Sequence, residues 1–475
     1  MSGKSLVVKF GGTSVGSAAA IAQAVDIVRE TREAWPRLVV VVSAMSGVTD
    51  MLLEGARAAV RGDRQQVRQI ADRLKALHHK AADGLIDSLA DQEAVLRPID
   101  RHLREFDSLC DALAVVGEAS PRTLDTVASL GERMSIHLVA GRLRRVGVPA
   151  EAVSATEVIR TDAAFQSAAP LMSVTRRQAQ ERLGGLLDVG IVPLVTGFVG
   201  ATEAGEVTTL GRGGSDYSAA ILGDALGCDE VWIYTDVDGV MTADPRVVKE
   251  ARSLSALSYR EMSELAYFGA RVLHPKTIRP VIERGIPLRI KNTFNPAHPG
   301  TLVLAQANGV NRALKAVTAI KRQRLITIEG QGMLGVPGIA ARAFGAVART
   351  GTSVPMISQA SSEQSICFVV PESMAEDVLT ALHAEFERAL ARRDIESIWA
   401  TDEVVIVTAV GSAIQQTPGV AGRVFGALDA ASINIMAIAQ GPSACSISMV
   451  IDVKDADKTV RQIHALIARE QEVTS

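Results

Sequence analysis

The segment Pro337–Ala346 (P-G-I-A-A-R-A-F-G-A) returns 81 residues later as Pro418–Ala427 (P-G-V-A-G-R-V-F-G-A). The same offset, without a gap, lays Ser353-Val354 on Asn434-Ile435, Ile357-Ser358-Gln359 on Ile438-Ala439-Gln440, and Ser365-Ile366 on Ser446-Ile447. A chance likeness between two Ala/Gly-rich helices would not carry into the strands that follow. Each copy reads strand, Pro-Gly turn, amphipathic helix, strand, turn, strand. Two small α+β modules of the ferredoxin-like kind are therefore expected. Ala305–Arg312 (A-Q-A-N-G-V-N-R) is the linker candidate ahead of them.

Before the linker the pattern changes. Leu6–Phe10 is a short strand-like run that opens into Gly11-Gly12-Thr13-Ser14-Val15-Gly16. A helical stretch over 17–32 follows, then Arg37–Ala44 (R-L-V-V-V-V-S-A), an almost unbroken β-branched run. Such a strand is buried on both faces of a parallel sheet, and strand–helix–strand order marks an α/β domain. Residues 50–145 are poor in turn signals, so several helices are expected, with Pro98 and Pro121 as boundaries. His78, His79 and His102 fall in these polar helical stretches and read as solvated. Strands at 191–196, 230–235, 287–291 and 301–304, a hairpin around Glu203–Glu206, and helices at 215–227, 259–268 and 275–284 complete this part.

Composition removes several classes of function. The chain has 475 residues, room for about three domains. Its 50 Lys and Arg against 53 Asp and Glu give a net charge of −3, and aromatics are 4%. That offers nucleic acid neither a cationic footprint nor stacking platforms. No apolar run approaches the ~20 residues of a membrane helix. Ser5–Val8, between Lys4 and Lys9, is too short for a signal-peptide core, so a cytoplasmic protein without a membrane partner is expected. Cys110, Cys228, Cys367 and Cys445 are too far apart for a C-x-x-C pair, and no H-E-x-x-H occurs.

Four passages could carry chemistry. In Lys9–Gly16 (K-F-G-G-T-S-V-G), glycines between a strand and a helix let backbone N–H groups close on an anion, with Lys9 at the strand's end. It is not a P-loop, because Gly16 leads into Ser17-Ala18, nor a dinucleotide fingerprint, because Thr13 takes the second glycine position. The plain alternative is a tight βα turn with a surface lysine. Thr208–Asp216 (T-T-L-G-R-G-G-S-D) is a second Gly-rich entry to a helix, with Ser215 or Asp216 as a cap. Arg212 among its glycines has room to grip a carboxylate or phosphate with two hydrogen bonds. Thr235–Arg246 (T-D-V-D-G-V-M-T-A-D-P-R) follows a strand, where ligands of open α/β sheets bind; it lacks the closing Glu of a calcium loop. Leu130–Ser135 (L-G-E-R-M-S) lies in a helical segment, where Glu132 alone reads as a solvated acid; Ser43 and Thr49 read as turn residues.

Taken in order, K-F-G-G-T-S-V-G, V-V-S-A-M-S-G-V-T-D, L-G-E-R-M-S, T-T-L-G-R-G-G-S-D-Y-S-A-A, T-D-V-D-G-V-M-T-A-D-P-R and F-G-A-R-V-L-H-P-K-T resemble the aspartokinase family. Pro337–Ile451 resembles that family's paired ACT modules, most closely those of aspartokinase–homoserine dehydrogenase, through S-Q-A-S-S-E-Q-S-I and A-I-A-Q-G-P-S. The resemblance implies an amino-acid-kinase three-layer α/β sandwich with a mainly parallel sheet over residues 1–305. A linker at 306–313 and ACT modules at 314–400 and 401–475 would follow. It implies Lys9 and Asp216 as catalytic residues. ATP would be held by Lys9, Phe10, Gly11, Gly12, Thr235, Asp236, Met241, Arg246, Arg271 and Val272. Ser43, Thr49, Glu132, Arg212, Gly213, Gly214 and Ser215 would hold aspartate, with Arg212 on the α-carboxylate and Glu132 facing the α-ammonium. Ser353, Val354, Gln359, Asn434, Ile435 and Gln440 would take an amino-acid effector. Many members carry Tyr where Met241 stands and Lys where Arg271 stands; a thioether can still cover an adenine face, and Arg271 keeps the charge.

The implied reaction suits these residue types. An aspartate β-carboxylate, with a reference pKa of about 3.9, is ionised at neutral pH and needs no general base. Phosphoryl transfer asks for positioning and charge neutralisation, with Mg2+ carried on the nucleotide phosphates. Rival readings are another kinase of the same fold, an inactive amino-acid sensor, and a piece of a fused enzyme. Because the chain ends at Ser475 soon after the second module, a single activity is expected. Threonine is favoured over lysine as effector: Gln359 and Gln440 offer amides suited to a hydroxyl ligand, while Pro355 has no carboxylate for a lysine ammonium. The alternative lysine partner is Glu363, or the two glutamines merely stitch the modules. A homodimer or higher oligomer through the ACT modules is expected.

Overall fold

Arg37–Val42 of the β-branched run at 37–44 becomes a strand, β2, of an eight-stranded sheet, buried on both faces as its composition requires. The structure, a computed structural model, describes residues 3–269, 273, 275–306, 313–360, 364–441 and 445–472. It divides into two compact units: Met1–Val240, Ser255–Tyr259 and Val272–Ala307 form the first, and Met241–Leu254, Arg260–Arg271 and Asn308–Ser475 the second.

In the first unit the strands are β1 (Ser5–Phe10), β2 (Arg37–Val42), β3 (Ala150–Val153), β4 (Val192–Thr196), the separate ribbon β5 (Val199–Ala201) and β6 (Val207–Thr209), β7 (Glu230–Thr235), β8 (Ala256–Ser258), β9 (Leu288–Asn292) and β10 (Thr301–Leu304). The sheet order is β3-β4-β2-β1-β7-β9-β10-β8, parallel except where β10 meets β9. Leu6, Val8 and Phe10 face a core shared with α1 (Ala18–Ala34), α2 (Val48–Val60), α3 (Arg64–Leu85), α4 (Leu89–Val116) and α5 (Pro121–Arg145). Period-two alternation sends Val7 and Lys9 to the opposite face. There, after α6 (Met172–Ala179) and α7 (Gly185–Asp188), α8 (Gly214–Leu226) lies on β1 and β7. α6 packs on α8, and so does α10 (Arg279–Arg284), which follows α9 (Tyr259–Tyr267) in the chain. The result is the three-layer sandwich expected from the resemblance.

Two expectations in the helical layer fail. Pro98 is not a boundary but sits inside α4. Val95, Ile99, Leu103 and Phe106 bury one face of that helix, and this packing outweighs a lost hydrogen bond and a local clash of about 3 kcal/mol. His78 and His102 are not solvated; they are 0% and 3% exposed. Each continues an apolar stripe, Ile70–Leu74–His78 or Val95–Ile99–His102, and burial lowers the pKa of His78. Pro121 does open α5, behind the capping hydroxyl of Ser120.

In the second unit the two copies are β11 (Ala316–Glu329), α11 (Ile339–Arg349), β12 (Met356–Gln359), β13 (Ser365–Pro371) and α12 (Ala375–Ala391), then β14 (Ser397–Val410), α13 (Val420–Ala430), β15 (Ile435–Ala439), β16 (Ser446–Asp452) and α14 (Ala456–Glu472). They form one antiparallel sheet, ordered β12-β13-β11-β14-β16-β15. The long central strands are shared. Residues 323–329 of β11 pair with β13, while 316–320 pair only with the end of β14 that belongs to the second copy. A register shift between Ile320 and Gln323, with Arg322 at φ +59°, marks the change of allegiance. Neither copy completes its sheet alone. The Arg260–Arg271 segment joins this unit: Lys315 pairs with Glu261, Ser446 Oγ donates to Glu264 at 2.7 Å, and Thr318 Oγ1 donates to the Phe268 carbonyl at 2.9 Å.

Candidate active site

The register of the first sheet brings its strand ends level. Phe10 stands opposite Val42 and Tyr234, Val42 opposite Thr196, and Thr235 opposite Asn292. The loops after β1, β2, β4, β7 and β9 therefore open along one edge. The chain builds outward from β1 through β2 and β4 on one side and through β7 and β9 on the other. The crevice between β1 and β7 is thus the switch point where such sheets take ligands. Gly11 lies in it, its N–H donating to the Tyr234 carbonyl at 3.3 Å.

Lys9 closes β1 on the α8 face and is 9% exposed, so the surface-lysine reading fails. Its Nζ lies 2.6 Å from Asp216 Oδ1, in the first turn of α8. A Cβ at Gly11 would stand 3.3 Å from that ammonium, so the glycine leaves the space beside Lys9 open. Neither Ser215 nor Asp216 caps α8. The N-cap is Gly213, at φ +71°, and the Asp216 carboxylate serves Lys9 instead. Gly211, at φ +78°, and Gly213 set Arg212 on an exposed turn, where among the described residues nothing pairs with its guanidinium. Phe10 turns inward and stacks on Tyr234, so only its backbone faces the loop.

Glu132 contradicts the solvated reading most sharply. It lies on α5, 3% exposed, and its Oε2 has no hydrogen-bond partner. Burial pushes its pKa up to about 8, against the pull of the Ala44 backbone and the Lys9 charge. α5 comes this close because of the glycine before it: a Cβ at Gly131 would lie 2.8 Å from Ala44 Cβ and 3.2 Å from Val48 Cγ1. Ser135 Oγ fastens the same helix to the Ser43 carbonyl at 2.6 Å. Ser43 is buried after β2, and Thr49 is half-buried in the first turn of α2. A buried carboxyl with one unpartnered oxygen, a pinned lysine and an exposed guanidinium have the chemistry to take a small zwitterion beside an anion.

Thr235 is half-buried at the end of β7, and its hydroxyl donates to the exposed Asp236 at 3.1 Å. Asp238 holds the β9 loop, accepting from Asn292 at 2.8 Å and Asn295 at 3.1 Å. Met241 and Arg246 belong to the second unit, where Arg246 pairs with Asp244 at 2.6 Å. Arg271 and Val272 lie outside the described residues, as does Glu363. Of the effector set, Ser353, Gln359, Asn434 and Gln440 are exposed and Val354 and Ile435 half-buried, at or beside β12 and β15. Ser358 Oγ donates to the Ile438 carbonyl at 3.2 Å, so these two strands approach each other. The sequence reading missed Asp125, buried on α5 two turns before Glu132; a carboxylate on the same stripe as Glu132 was the available signal.

Residues 4–292 match the Amino acid kinase family, and 326–386 and 407–466 match the ACT domain. The chain is 38% identical over 463 residues to the chloroplastic bifunctional aspartokinase/homoserine dehydrogenase 1 of Zea mays, covering 96% of this chain and 50% of that protein. It thus spans about half the length of the bifunctional relatives it matches. Against the chloroplastic aspartokinase 1 of Arabidopsis thaliana it is 32% identical over 477 residues, covering 97% and 80%. The solved E. coli aspartokinase III in complex with lysine and aspartate (T-state) has a TM-score of 0.79 at 30% identity, covering 98% of this chain and 99% of that one. Its complex with aspartate and ADP (R-state) gives the same TM-score and identity over 97% and 99%.

Proposed function

Because the chain belongs to the amino acid kinase family, among the aspartokinases, we propose that it transfers the γ-phosphoryl group of ATP to the β-carboxylate of L-aspartate, giving 4-phospho-L-aspartate and ADP. The observation that carries this reading is the buried, partnerless Glu132 oxygen on the edge where Lys9, Gly11 and Gly12 emerge. Glu132 takes the α-ammonium, and Arg212 the α-carboxylate, with two hydrogen bonds. Ser43, Thr49 and the Gly213–Ser215 turn fix the rest of the substrate. The β-carboxylate oxygen attacks phosphorus while the bond to the ADP oxygen breaks. Lys9, aimed by Asp216, offsets charge on the phosphoryl oxygens, and Gly11 and Gly12 present backbone N–H groups. Thr235 and Asp236, at the end of β7, hold the nucleotide. Mg2+, when bound on its phosphates, neutralises further charge; among the described residues no cluster of three or more His, Cys, Asp or Glu could hold a metal.

This reaction would open lysine, threonine and methionine biosynthesis, with feedback through the ACT modules and threonine favoured over lysine. Exposed Ile357 and Ile438, at equivalent places on β12 and β15, support association with a second copy through these modules. All four cysteines are free, in keeping with a reducing compartment such as the cytoplasm. No described helix is long and apolar enough to cross a membrane. The test is coupled ADP release with ATP, Mg2+ and aspartate, then repeated with millimolar threonine or lysine. Aspartate-dependent turnover, inhibited by threonine and relieved in Gln359→Ala and Gln440→Ala, is expected. No turnover with aspartate overturns the activity; inhibition by lysine alone, untouched by either substitution, overturns only the effector assignment.

A further inference from the structure

Asp125 is 1% exposed, one of four buried acids among the described residues, with Glu132, Asp224 and Glu261. Its Oδ2 accepts the backbone N–H groups of Gln166 and Thr209, each at 2.9 Å, and its Oδ1 accepts the Thr209 hydroxyl at 2.8 Å. A buried carboxylate costs stability unless it is well satisfied, and an apolar residue would fill the same helix position more cheaply. The three donors come from two segments, neither of them on α5. Thr209 ends β6, three residues before Arg212. Gln166 belongs to the 162–169 loop and takes φ +69°, a left-handed conformation that costs about 1 kcal/mol or more for a residue with a side chain. That loop abuts the Arg212 turn: Ala168 N donates to the Thr209 carbonyl at 3.0 Å, and a Cβ at Gly211 would stand 3.0 Å from the Gln166 carbonyl. Seven residues separate Asp125 from Glu132 on α5, so one helix stripe carries both.

We infer that Asp125 is a positioning residue that fixes the Arg212 turn at a set distance from Glu132, so that one helix gauges the spacing between the substrate's ammonium and carboxylate groups. The inference rests on the aspartate reading above. Asp125 touches no substrate; it acts through the backbone of Thr209 and Gln166. Geometry, rather than charge, is what it supplies. An Asn at 125 can place its oxygen on both N–H groups and turn its amide toward the Thr209 hydroxyl, which then accepts.

The test compares wild type, Asp125→Ala and Asp125→Asn by steady-state kinetics, and by hydrogen exchange at the Gln166 and Thr209 amides. Asp125→Ala should raise KM for aspartate about 10-fold or more, as a misplaced binding group does, while KM for ATP stays within about twofold. Exchange at the two amides should quicken, with the α1 and α2 amides unchanged. Asp125→Asn should restore most of the aspartate KM. If Asp125→Ala only lowers the folded fraction and the remaining protein keeps the wild-type aspartate KM, the residue is structural and the inference fails. Equal rises in both KM values also overturn it. Wild type inactive on aspartate sinks the proposed function and this inference with it, whereas active wild type with unchanged Asp125→Ala kinetics sinks this inference alone.

Discussion

Two lysine–carboxylate pairs, one in each unit, match closely in distance. Lys9 Nζ lies 2.6 Å from Asp216, and Lys315 Nζ lies 2.9 Å from Glu261. Exposure separates them. The first pair keeps 11% and 14% of its side-chain surface open; the second keeps 1% and 0%. Lys9 also stands at the end of a parallel strand, with glycines next in the chain, so an arriving anion can share its charge. Lys315 just precedes the shared strand β11, and its partner sits in α9. Short distance shows only that two charges have met. Residual access at a strand end is what turns such a pair into chemistry, and its absence turns the other into framework.

The largest expected effect tests the sealed pair. Lys315→Met strands the Glu261 charge in the interior and should cost the second unit about 3–5 kcal/mol, read as a lower denaturant midpoint. Adding Glu261→Leu should recover most of that loss, since an apolar pair of similar volume needs no desolvation. If Lys315→Met is neutral, the pair is not framework and the contrast collapses from that side.

Lys9→Ala should act oppositely. We expect kcat to fall about 10²-fold or more, the scale of a lost electrostatic stabiliser, with a smaller loss of midpoint than Lys315→Met because the Asp216 side chain keeps 14% of its surface open. Near-normal kcat would remove Lys9 from the mechanism. A large loss of stability with kcat per folded molecule intact would place it with Lys315.

The same distinction explains what could be read from the sequence. The succession of strands and helices along the chain, the glycine loops and the repeat were visible because they are local: period, turn chemistry and self-similarity sit within a few residues of one another. Pairings across the chain were not. Ser215 and Asp216 look like caps, and only β1 brought alongside α8 makes Asp216 the partner of Lys9. The repeat offset revealed two modules but not that β11 and β14 exchange halves, since register is a property of two distant strands. Pro98 and the buried histidines were misjudged from residue type, although the apolar stripes around them carried the better signal. Gln166 at positive φ left no mark in the sequence at all.

The smallest expected effect concerns a third buried ionisable group, Glu132, one of whose oxygens has no partner. Glu132 has a folded pKa of about 8, above the ordinary 4.5, because burial disfavours the carboxylate. To receive an ammonium it must first lose its proton. The apparent KM for aspartate should therefore rise about tenfold for each pH unit below 8 and level off above it. Stability runs the other way. The native state holds a proton that the unfolded chain gives up above 4.5, so this group's stabilisation is complete below 4.5 and is lost as pH rises through 8. Glu132→Gln mimics the protonated acid permanently. It should match wild-type stability near pH 5 and exceed it above pH 8, while losing the pH dependence of KM and binding aspartate weakly throughout. Wild-type KM that stays flat from pH 6 to 8 would mean that Glu132 is already ionised in the free protein. It would then belong with Lys9, a charge paired before substrate arrives, rather than a charge that substrate creates.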